Sequence, residues 1–180
     1  MRRKRVQRKT RETEIAVSIN LDGAGKYHVE LPDRFLKHMI ESLARFARFD
    51  ISVRGAGDFS HHVNEDVAIT LGRAFRDAMK DRPVQRVGSA HIAMDDALVL
   101  VAVDLVDRPY CDVKLPDEML EHFLRSFSME ARITLHNVVL KGKNHHHINE
   151  ATFKALGLAL RDATRPAVSL LSTKKKVRWM

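Results

Sequence analysis

The feature that most constrains this chain is an internal repeat. Residues 35–78 align with residues 119–163 almost without a gap. Each stretch contains a helical pattern, a strand of alternating apolar residues, a glycine-containing turn, a histidine pair and a second helix that ends in an Arg-Asp-Ala triplet. The sequence therefore predicts two duplicated units.

Strand and helix patterns indicate the fold class. Residues 14–20 and 26–31 are typical of strands and flank a turn at Asp22-Gly23, and residues 87–105 alternate apolar and polar side chains around a break at residues 94–96. Helices are predicted at residues 35–48, 64–80, 117–130 and 150–163, each with an apolar stripe that should lie on a sheet face. We expect an α+β fold made of duplicated sheet-and-helix halves related by a pseudo-twofold axis.

Charge is concentrated at the ends of the chain. The net charge is +8, but residues 1–11 hold seven basic and no acidic side chains, and four more basic residues lie at 174–178, so that the remaining body has 20 basic and 23 acidic residues. We predict a basic N-terminal arm at 1–11, a first half at 12–86, a second half at 87–171 and a basic C-terminal tail at 172–180. Solvated termini are favoured over a nucleic-acid-binding arm, because no motif that reads bases is evident.

Composition excludes several other classes. A chain of 180 residues with 44% apolar residues can bury a core. Neither a membrane-spanning apolar run nor a signal peptide is apparent, which predicts a cytoplasmic protein without a membrane partner. The only cysteine is Cys111, so an internal disulfide is excluded and any metal site must use histidines and carboxylates.

Side chains of metal-ligand type recur at matched positions of the repeat. They are His38, His61, His62 and Glu65 in the first half and His122, His146, His147 and Glu150 in the second. In a His-His-x-x-Glu motif at the start of a helix, the first and fifth residues share a face, whereas adjacent histidines point about 100° apart. The two histidines of one pair therefore cannot easily bind the same ion. Two pairs from the two halves can instead form two sites, whose ligands could come from different subunits. Imidazole and carboxylate ligands suit Mn²⁺, Fe²⁺ or Zn²⁺, and octahedral coordination favours Mn²⁺.

A single copy of this motif has another explanation, because Asn64 or Glu65 could cap a helix by accepting hydrogen bonds from free amides. Two copies in register favour metal binding instead. The four histidines without a repeat partner are predicted to have surface or core roles; they are His28, His91, His136 and His145.

The motifs, taken in order, resemble the imidazoleglycerol-phosphate dehydratase family from Glu12 to Lys174. The matching segments are Arg-Glu-Thr-Glu-Ile at 11–15, Leu-Asp-Gly at 21–23, Phe-Leu-x-His-Met at 35–39, His-His-x-x-Glu-Asp at 61–66, Met-Asp-Asp-Ala-Leu at 94–98, Asp-Arg-Pro-Tyr at 107–110, Glu-His-Phe at 121–123, His-His-x-x-Glu-Ala at 146–151 and Ser-Thr-Lys at 172–174. Their order, more than any single motif, carries the resemblance.

The resemblance implies roles for individual residues. It implies the same eight metal ligands, with two Mn²⁺ ions in each active site and other divalent transition metals as alternatives. It also implies substrate contacts in which cationic and hydroxyl groups hold a phosphate, at Glu12, Arg86, Arg108, Lys154, Ser172 and Lys174. Glu12 is the predicted acid/base group, and Glu65 and Glu150 are candidates that combine ligation with proton transfer.

The resemblance further implies a reaction and an assembly. The reaction is the dehydration of D-erythro-imidazole glycerol phosphate to imidazole acetol phosphate in histidine biosynthesis, catalysed by a lyase. The metals would bind the substrate as an imidazolate, a carboxylate would remove a carbon-bound proton, and loss of hydroxide would give a diazafulvene-like intermediate and then an enol that becomes the ketone. The implied fold is ribosomal S5 domain 2-like, and the implied assembly is a 24-subunit homo-oligomer built from trimers, with metal sites between subunits.

Three positions depart from the family pattern. Lys37, Ser60 and His145 stand where acids commonly precede the metal-binding histidines. Because a carboxylate beside a ligating histidine orients it, these changes predict altered tuning of the metal sites. The rival to an enzyme is a non-catalytic, metal-stabilised assembly protein with the same fold, which would need none of the substrate-contacting residues.

Overall fold

The computed structural model describes residues 1–79 and 83–169. The first half contains strands β1 (Arg3–Lys9), β2 (Thr13–Asn20) and β3 (Tyr27–Glu30), helix α1 (Arg34–Ala47), strand β4 (Asp50–Gly57) and helix α2 (Ser60–Met79). Its strands form a mixed sheet in the order β1-β2-β4-β3, in which only the β3–β4 pair is parallel.

The second half has the same order of elements. It contains β5 (Val87–Met94), β6 (Ala97–Asp104), β7 (Tyr110–Asp112), α3 (Glu118–Ala131), β8 (Thr134–Lys141) and α4 (His145–Ala163). The sheet order is β5-β6-β8-β7, again with one parallel pair at the β7 edge. The predicted α+β fold with duplicated sheet-and-helix halves is confirmed.

The four helices lie between the two sheets. Helix α2 packs on β1 and β2, α4 packs on β5 and β6, and the helices meet across the halves as α1 with α4 and α2 with α3. The buried apolar side chains of both halves form one continuous cluster. The duplication therefore brings each first-half helix against a second-half helix, which is the arrangement that assembles the site described below.

Matched caps explain where α1 and α3 begin and end. The Asp33 carboxylate accepts hydrogen bonds from the amides of the first turn of α1, and Asp117 does the same for α3. Both helices end at an arginine with left-handed backbone, Arg48 with φ of 56° and Arg132 with φ of 55°. Each terminus thus satisfies backbone groups that the helix itself leaves unpaired.

The N-terminal segment differs from the predicted basic arm. Residues 3–9 form β1, which pairs with the whole of β2. Arg2, only 7% exposed, extends this attachment: its guanidinium donates to the Asp22 carboxylate and to the backbone carbonyl of Thr164 at the end of α4. The prediction of a solvated arm was wrong because the basic pattern has two explanations. An edge strand can carry basic residues on its solvent-facing side, just as a solvated tail can.

Other boundaries also shifted. Strands β2 and β3 flank the predicted turn but are not neighbours, because β4 lies between them. Helices α2 and α4 begin at Ser60 and His145, before the predicted starts at 64 and 150, and short β7 was not predicted. The predicted tail at 172–180 lies outside the described residues. Within the part of the chain that the structure describes, no helix is long and apolar enough to cross a membrane.

Candidate metal centre

Helices α1 and α4 bring three ligand-type side chains together. Oε2 of Glu150 lies 3.3 Å from Nε2 of His38 and 3.1 Å from Nε2 of His146. The two imidazole rings are nearly parallel, with an interplanar angle of 16° and centroids 6.2 Å apart. We call this group the Glu150 cluster.

Helices α2 and α3 form the matching group in the other pair of helices. Oε1 of Glu65 lies 3.4 Å from Nε2 of His122, and the rings of His61 and His122 stack with centroids 5.7 Å apart. We call this group the Glu65 cluster. In both clusters one potential ligand atom from each of the three residues lies within 4.8 Å of the others. The pseudo-twofold relation of the sequence is therefore repeated in the geometry of the two sites.

The second histidine of each pair points elsewhere. The rings of His61 and His62 meet at 81°, as do those of His146 and His147. His62 instead places Nδ1 2.9 Å from Oδ1 of Asp58 and 3.8 Å from Oε2 of Glu12. His147 places Nδ1 2.7 Å from Oδ1 of Asp96. Six of the eight predicted ligands thus lie in the two clusters, while His62 and His147 face away from them.

Each cluster has the donor chemistry of a divalent metal site. Among residues 1–79 and 83–169, the buried Nε2 of His122 has no hydrogen-bond partner, an expensive state for a polar atom unless it binds something. Two imidazoles and one carboxylate supply nitrogen and oxygen donors and leave coordination positions open. The residues present fit an ion such as Mn²⁺.

Electrostatics keep the carboxylate of the Glu150 cluster ionised. Burial acts to raise the Glu150 pKa, but hydrogen bonds from Lys154 and His38 outweigh it and lower the pKa below its ordinary value. Nζ of Lys154 lies 2.9 Å from Oε1 of Glu150, on the side away from the histidines' contacts with Oε2. Glu150 is therefore an anionic ligand group at neutral pH.

His62 and His147, which we call the outward histidines, are also paired with anions. The hydrogen bond from His62 lowers the Asp58 pKa, and the same contact raises the pKa of His62. The backbone amide of Lys143, the His147 ring and the amide of Asn144 lower the Asp96 pKa to about 2.

The residues predicted to contact substrate are dispersed within one chain. Glu12 stands on the β1–β2 turn beside His62, and Lys154 borders the Glu150 cluster. Arg86 instead lies at the opposite end of α4: its amide donates to the carbonyl of Ala163, about 24 Å along the helix from His147 at 1.5 Å per residue. Its guanidinium is paired with Asp104, which raises the Arg86 pKa.

The remaining substrate-contact predictions are placed only in part. Arg108 is exposed just before β7, where its carbonyl accepts a hydrogen bond from Thr134. Ser172 and Lys174 lie outside the described residues. Among the described residues, Lys154 is thus the predicted phosphate-binding group that borders a cluster, whereas Arg86 lies at the far end of α4.

Sequence reasoning did not assign any role to Asp58 or Asp96. Asp96 occupies the tip of the β5–β6 hairpin, and the β1–β2 hairpin places Glu12 near the other outward histidine. Asp58 could have been found from its position four residues before His62, whereas finding Asp96 requires the correspondence of the two hairpins, which depends on the strand pairing of both sheets. A second overlooked group is Asp66, which accepts hydrogen bonds from Arg8 and Thr13 and is buried.

A duplicated α+β fold with two matched imidazole–carboxylate clusters defines a class of proteins whose side chains are compatible with metal binding. The comparisons with known proteins agree on one family. The sequence profile of imidazoleglycerol-phosphate dehydratase matches residues 32–160. The chain belongs to the imidazoleglycerol-phosphate dehydratase family.

Relatives match over nearly the whole chain. The imidazoleglycerol-phosphate dehydratase of Dictyoglomus thermophilum is 40% identical, covering 98% of this chain and 100% of the relative, and that of Desulfitobacterium hafniense is 45% identical, covering 97% of each. The crystal structure of the Pyrococcus furiosus enzyme superposes with a TM-score of 0.85 at 38% identity, covering 96% of this chain and 100% of that one. The Staphylococcus aureus enzyme gives 0.83 at 30% identity, covering 92% and 99%.

Proposed function

We propose that this chain removes water from D-erythro-imidazole glycerol phosphate to give imidazole acetol phosphate, using divalent metal ions held by its repeated histidines and glutamates. The observation that carries the proposal is the pair of matched clusters in a chain whose relatives are named for this dehydration. A lyase of histidine biosynthesis is therefore the function that the site supports best, and we expect it to act in the cytoplasm.

We assign the metal ligands by cluster. The Glu150 cluster would hold one Mn²⁺ and the Glu65 cluster a second, while His62 and His147 would complete the coordination of ions held by neighbouring copies. Bound metal would supply Lewis acidity and a template for the substrate imidazole. Nitrogen and oxygen donors suit Mn²⁺, Fe²⁺ or Zn²⁺, and manganese is the metal that octahedral coordination would favour.

We expect carboxylates of the chain to carry out proton transfer. The side chain of Glu12 is 59% exposed, so it can reach a substrate, and it lies on a turn fixed to α2. We propose that Glu12 moves a proton at the reacting carbon or oxygen. Glu65 and Glu150 remain candidates that combine ligation with proton transfer.

The dispersed cations support a site shared between copies. Arg86 lies at the far end of α4 from the Glu150 cluster, so we propose that Arg86, Arg108, Ser172 and Lys174 bind the substrate phosphate in a site completed by other subunits. Three consecutive apolar residues of β8, Val138, Val139 and Leu140, are exposed and would be covered by such a neighbour. A 24-subunit assembly built from trimers is the form that we propose.

Glu12→Gln tests the catalytic proposal against the metal-stabilised assembly protein. The variant removes the titratable group and keeps the size of the side chain, so turnover should fall by more than about 100-fold, the order of general acid–base contributions. Mn²⁺ content and assembly size should equal those of the wild type. Unchanged turnover would remove Glu12 from the mechanism, and a wild type that binds Mn²⁺ without turnover would favour the non-catalytic protein.

A further inference from the structure

The two histidines outside the clusters share one unassigned feature. Each places its Nδ1 against an aspartate oxygen: His62 against Asp58 at 2.9 Å, and His147 against Asp96 at 2.7 Å. Both contacts are within hydrogen-bonding distance. The outward histidines are therefore held by carboxylates, although the acids that the family pattern leads one to expect are replaced at Ser60 and His145.

The two aspartates reach these positions from unrelated parts of the fold. Asp58 lies four residues before His62, on the approach to α2. The repeat matches Asp58 with Lys143, which offers no carboxylate, and the second half uses Asp96 instead, 51 residues away in the β5–β6 hairpin. Two separate routes to the same contact indicate that the contact itself matters.

Both carboxylates are fixed by the backbone. Oδ2 of Asp96 accepts hydrogen bonds from the amides of Lys143 at 2.7 Å and Asn144 at 3.1 Å, which leaves Oδ1 for His147. Oδ1 of Asp58 accepts from the amide of Phe59 at 2.7 Å as well as from His62. A carboxylate anchored in this way also holds the ring that donates to it.

We propose that Asp58 and Asp96 are positioning residues that keep the proton of His62 and His147 on Nδ1, so that Nε2 presents its lone pair to a divalent metal ion. An ionised carboxylate only accepts hydrogen bonds, so the imidazole nitrogen that is hydrogen-bonded to it carries the proton. Nε2 of His147 also faces a carboxylate, because Oδ2 of Asp95 lies 3.3 Å away, but this contact is longer than the 2.7 Å hydrogen bond between Nδ1 and Asp96, so the proton stays on Nδ1. This inference rests on the proposed metal-binding function.

Asp96→Asn tests the proposal most sharply. An asparagine has one accepting oxygen, and if that oxygen stays with the loop amides, its NH₂ group faces Nδ1 and selects the Nε2–H form of His147. Histidine-selective ¹⁵N NMR of the metal-stripped full chain, at about pH 8 and with His147→Gln to assign the resonance, should show this change of tautomer. The dissociation constant for Mn²⁺ should rise at least about 10-fold.

Asp58 provides a graded comparison. In Asp58→Asn the single amide oxygen can keep both contacts made by Oδ1, so the effects should be smaller than in Asp96→Asn. Asp58→Ala removes the acceptor and should weaken Mn²⁺ binding about as much as Asp96→Asn.

Asp112→Asn is the matched control, because Oδ2 of Asp112 lies 3.9 Å from Nδ1 of His136 and neither residue belongs to a cluster. It should change neither the Mn²⁺ affinity nor the tautomer of His147.

If Asp96→Asn weakens Mn²⁺ binding with the tautomer unchanged, Asp96 only shapes the loop and the proposal is wrong. Unchanged Mn²⁺ affinity would overturn it equally. A wild type that does not bind Mn²⁺ would overturn the proposed function instead, and the metal-free NMR result would still report on Asp96.

Discussion

Gly72 in α2 and Gly157 in α4 occupy matched positions at which a helix of one half crosses a helix of the other. A Cβ on Gly72 would lie 2.6 Å from the carbonyl oxygen of Phe127, and a Cβ on Gly157 would lie 2.8 Å from that of Leu43. The absence of a side chain therefore sets the close approach of both helix pairs. Those pairs carry the Glu65 and Glu150 clusters, so the packing and the site depend on the same two residues.

Gly157→Ala should be destabilising even though alanine favours helices. The new Cβ meets backbone atoms, which cannot rotate away, so we expect a loss of about 1–3 kcal/mol in the free energy of unfolding. Chemical denaturation measures this loss. Arg161→Ala, an exposed change in the same helix, should stay within about 0.5 kcal/mol of the wild type; equal effects of the two variants would show that the crossing tolerates a side chain.

Arg2→Ala should weaken the attachment of the chain's first residues to Asp22 and to the end of α4. The variant loses the hydrogen bonds to Asp22 and to the Thr164 carbonyl. Because Asp22 is partly exposed and solvent screens the pair, we expect a cost of about 1–2 kcal/mol in the free energy of unfolding. Arg3→Ala in the exposed start of β1 should cost much less, and a similar loss in both variants would argue against a specific role of Arg2.

The same contact predicts a pH dependence. The hydrogen bond from Arg2 lowers the Asp22 pKa in the folded chain. The stabilisation is therefore complete above the unfolded pKa of about 3.9 and is lost as the pH falls through the lower folded value. Unfolding measured between pH 3 and 7 should show a smaller loss of stability on acidification in Arg2→Ala than in the wild type. Parallel pH profiles would contradict this linkage.

Thr13→Val should separate catalysis from metal binding. The Thr13 hydroxyl donates to the buried Asp66 and contacts Thr10, whose side chain also accepts from the amide of Glu12. Loss of this network should loosen the turn that carries Glu12, so turnover falls several-fold while Mn²⁺ affinity is kept. Thr152→Val, at a buried threonine that donates to the Ile148 carbonyl, is the control and should leave turnover unchanged. A parallel fall in Mn²⁺ affinity would place the effect at the metal ligands instead.

Removing either glutamate should remove one ion. Glu150→Gln and Glu65→Gln each replace the anionic ligand of one cluster with a neutral amide, so each variant should retain about one of the two Mn²⁺ ions per chain that we propose. Metal analysis after equilibrium dialysis measures the ratio. Loss of both ions in each variant would mean that the clusters do not bind independently.

The repeat made much of the fold predictable. Matching His-His-x-x-Glu motifs predicted two helices in equivalent places. Helical geometry also predicted that His61 and His62 point apart, and their contacts confirm it: His61 stacks on His122, whereas His62 lies against Asp58. The pairing of His38 with His146 was not predictable, because it arises from helices of different halves crossing at Gly157. The local sequence did not predict β1, because the backbone hydrogen bonds that make it a strand come from its partner β2. It did not predict the contact of Asp96 with His147 either, because that contact depends on the β5–β6 hairpin.

The proposed metal-dependent dehydration can be measured as turnover of imidazole glycerol phosphate by the metal-stripped chain, with and without added Mn²⁺. The account predicts no product without metal, formation of imidazole acetol phosphate when Mn²⁺ is restored, and loss of that recovery in His146→Ala. Tight binding of Mn²⁺ by a correctly folded wild type without any turnover would contradict the account and leave a metal-stabilised assembly protein as the function of this fold.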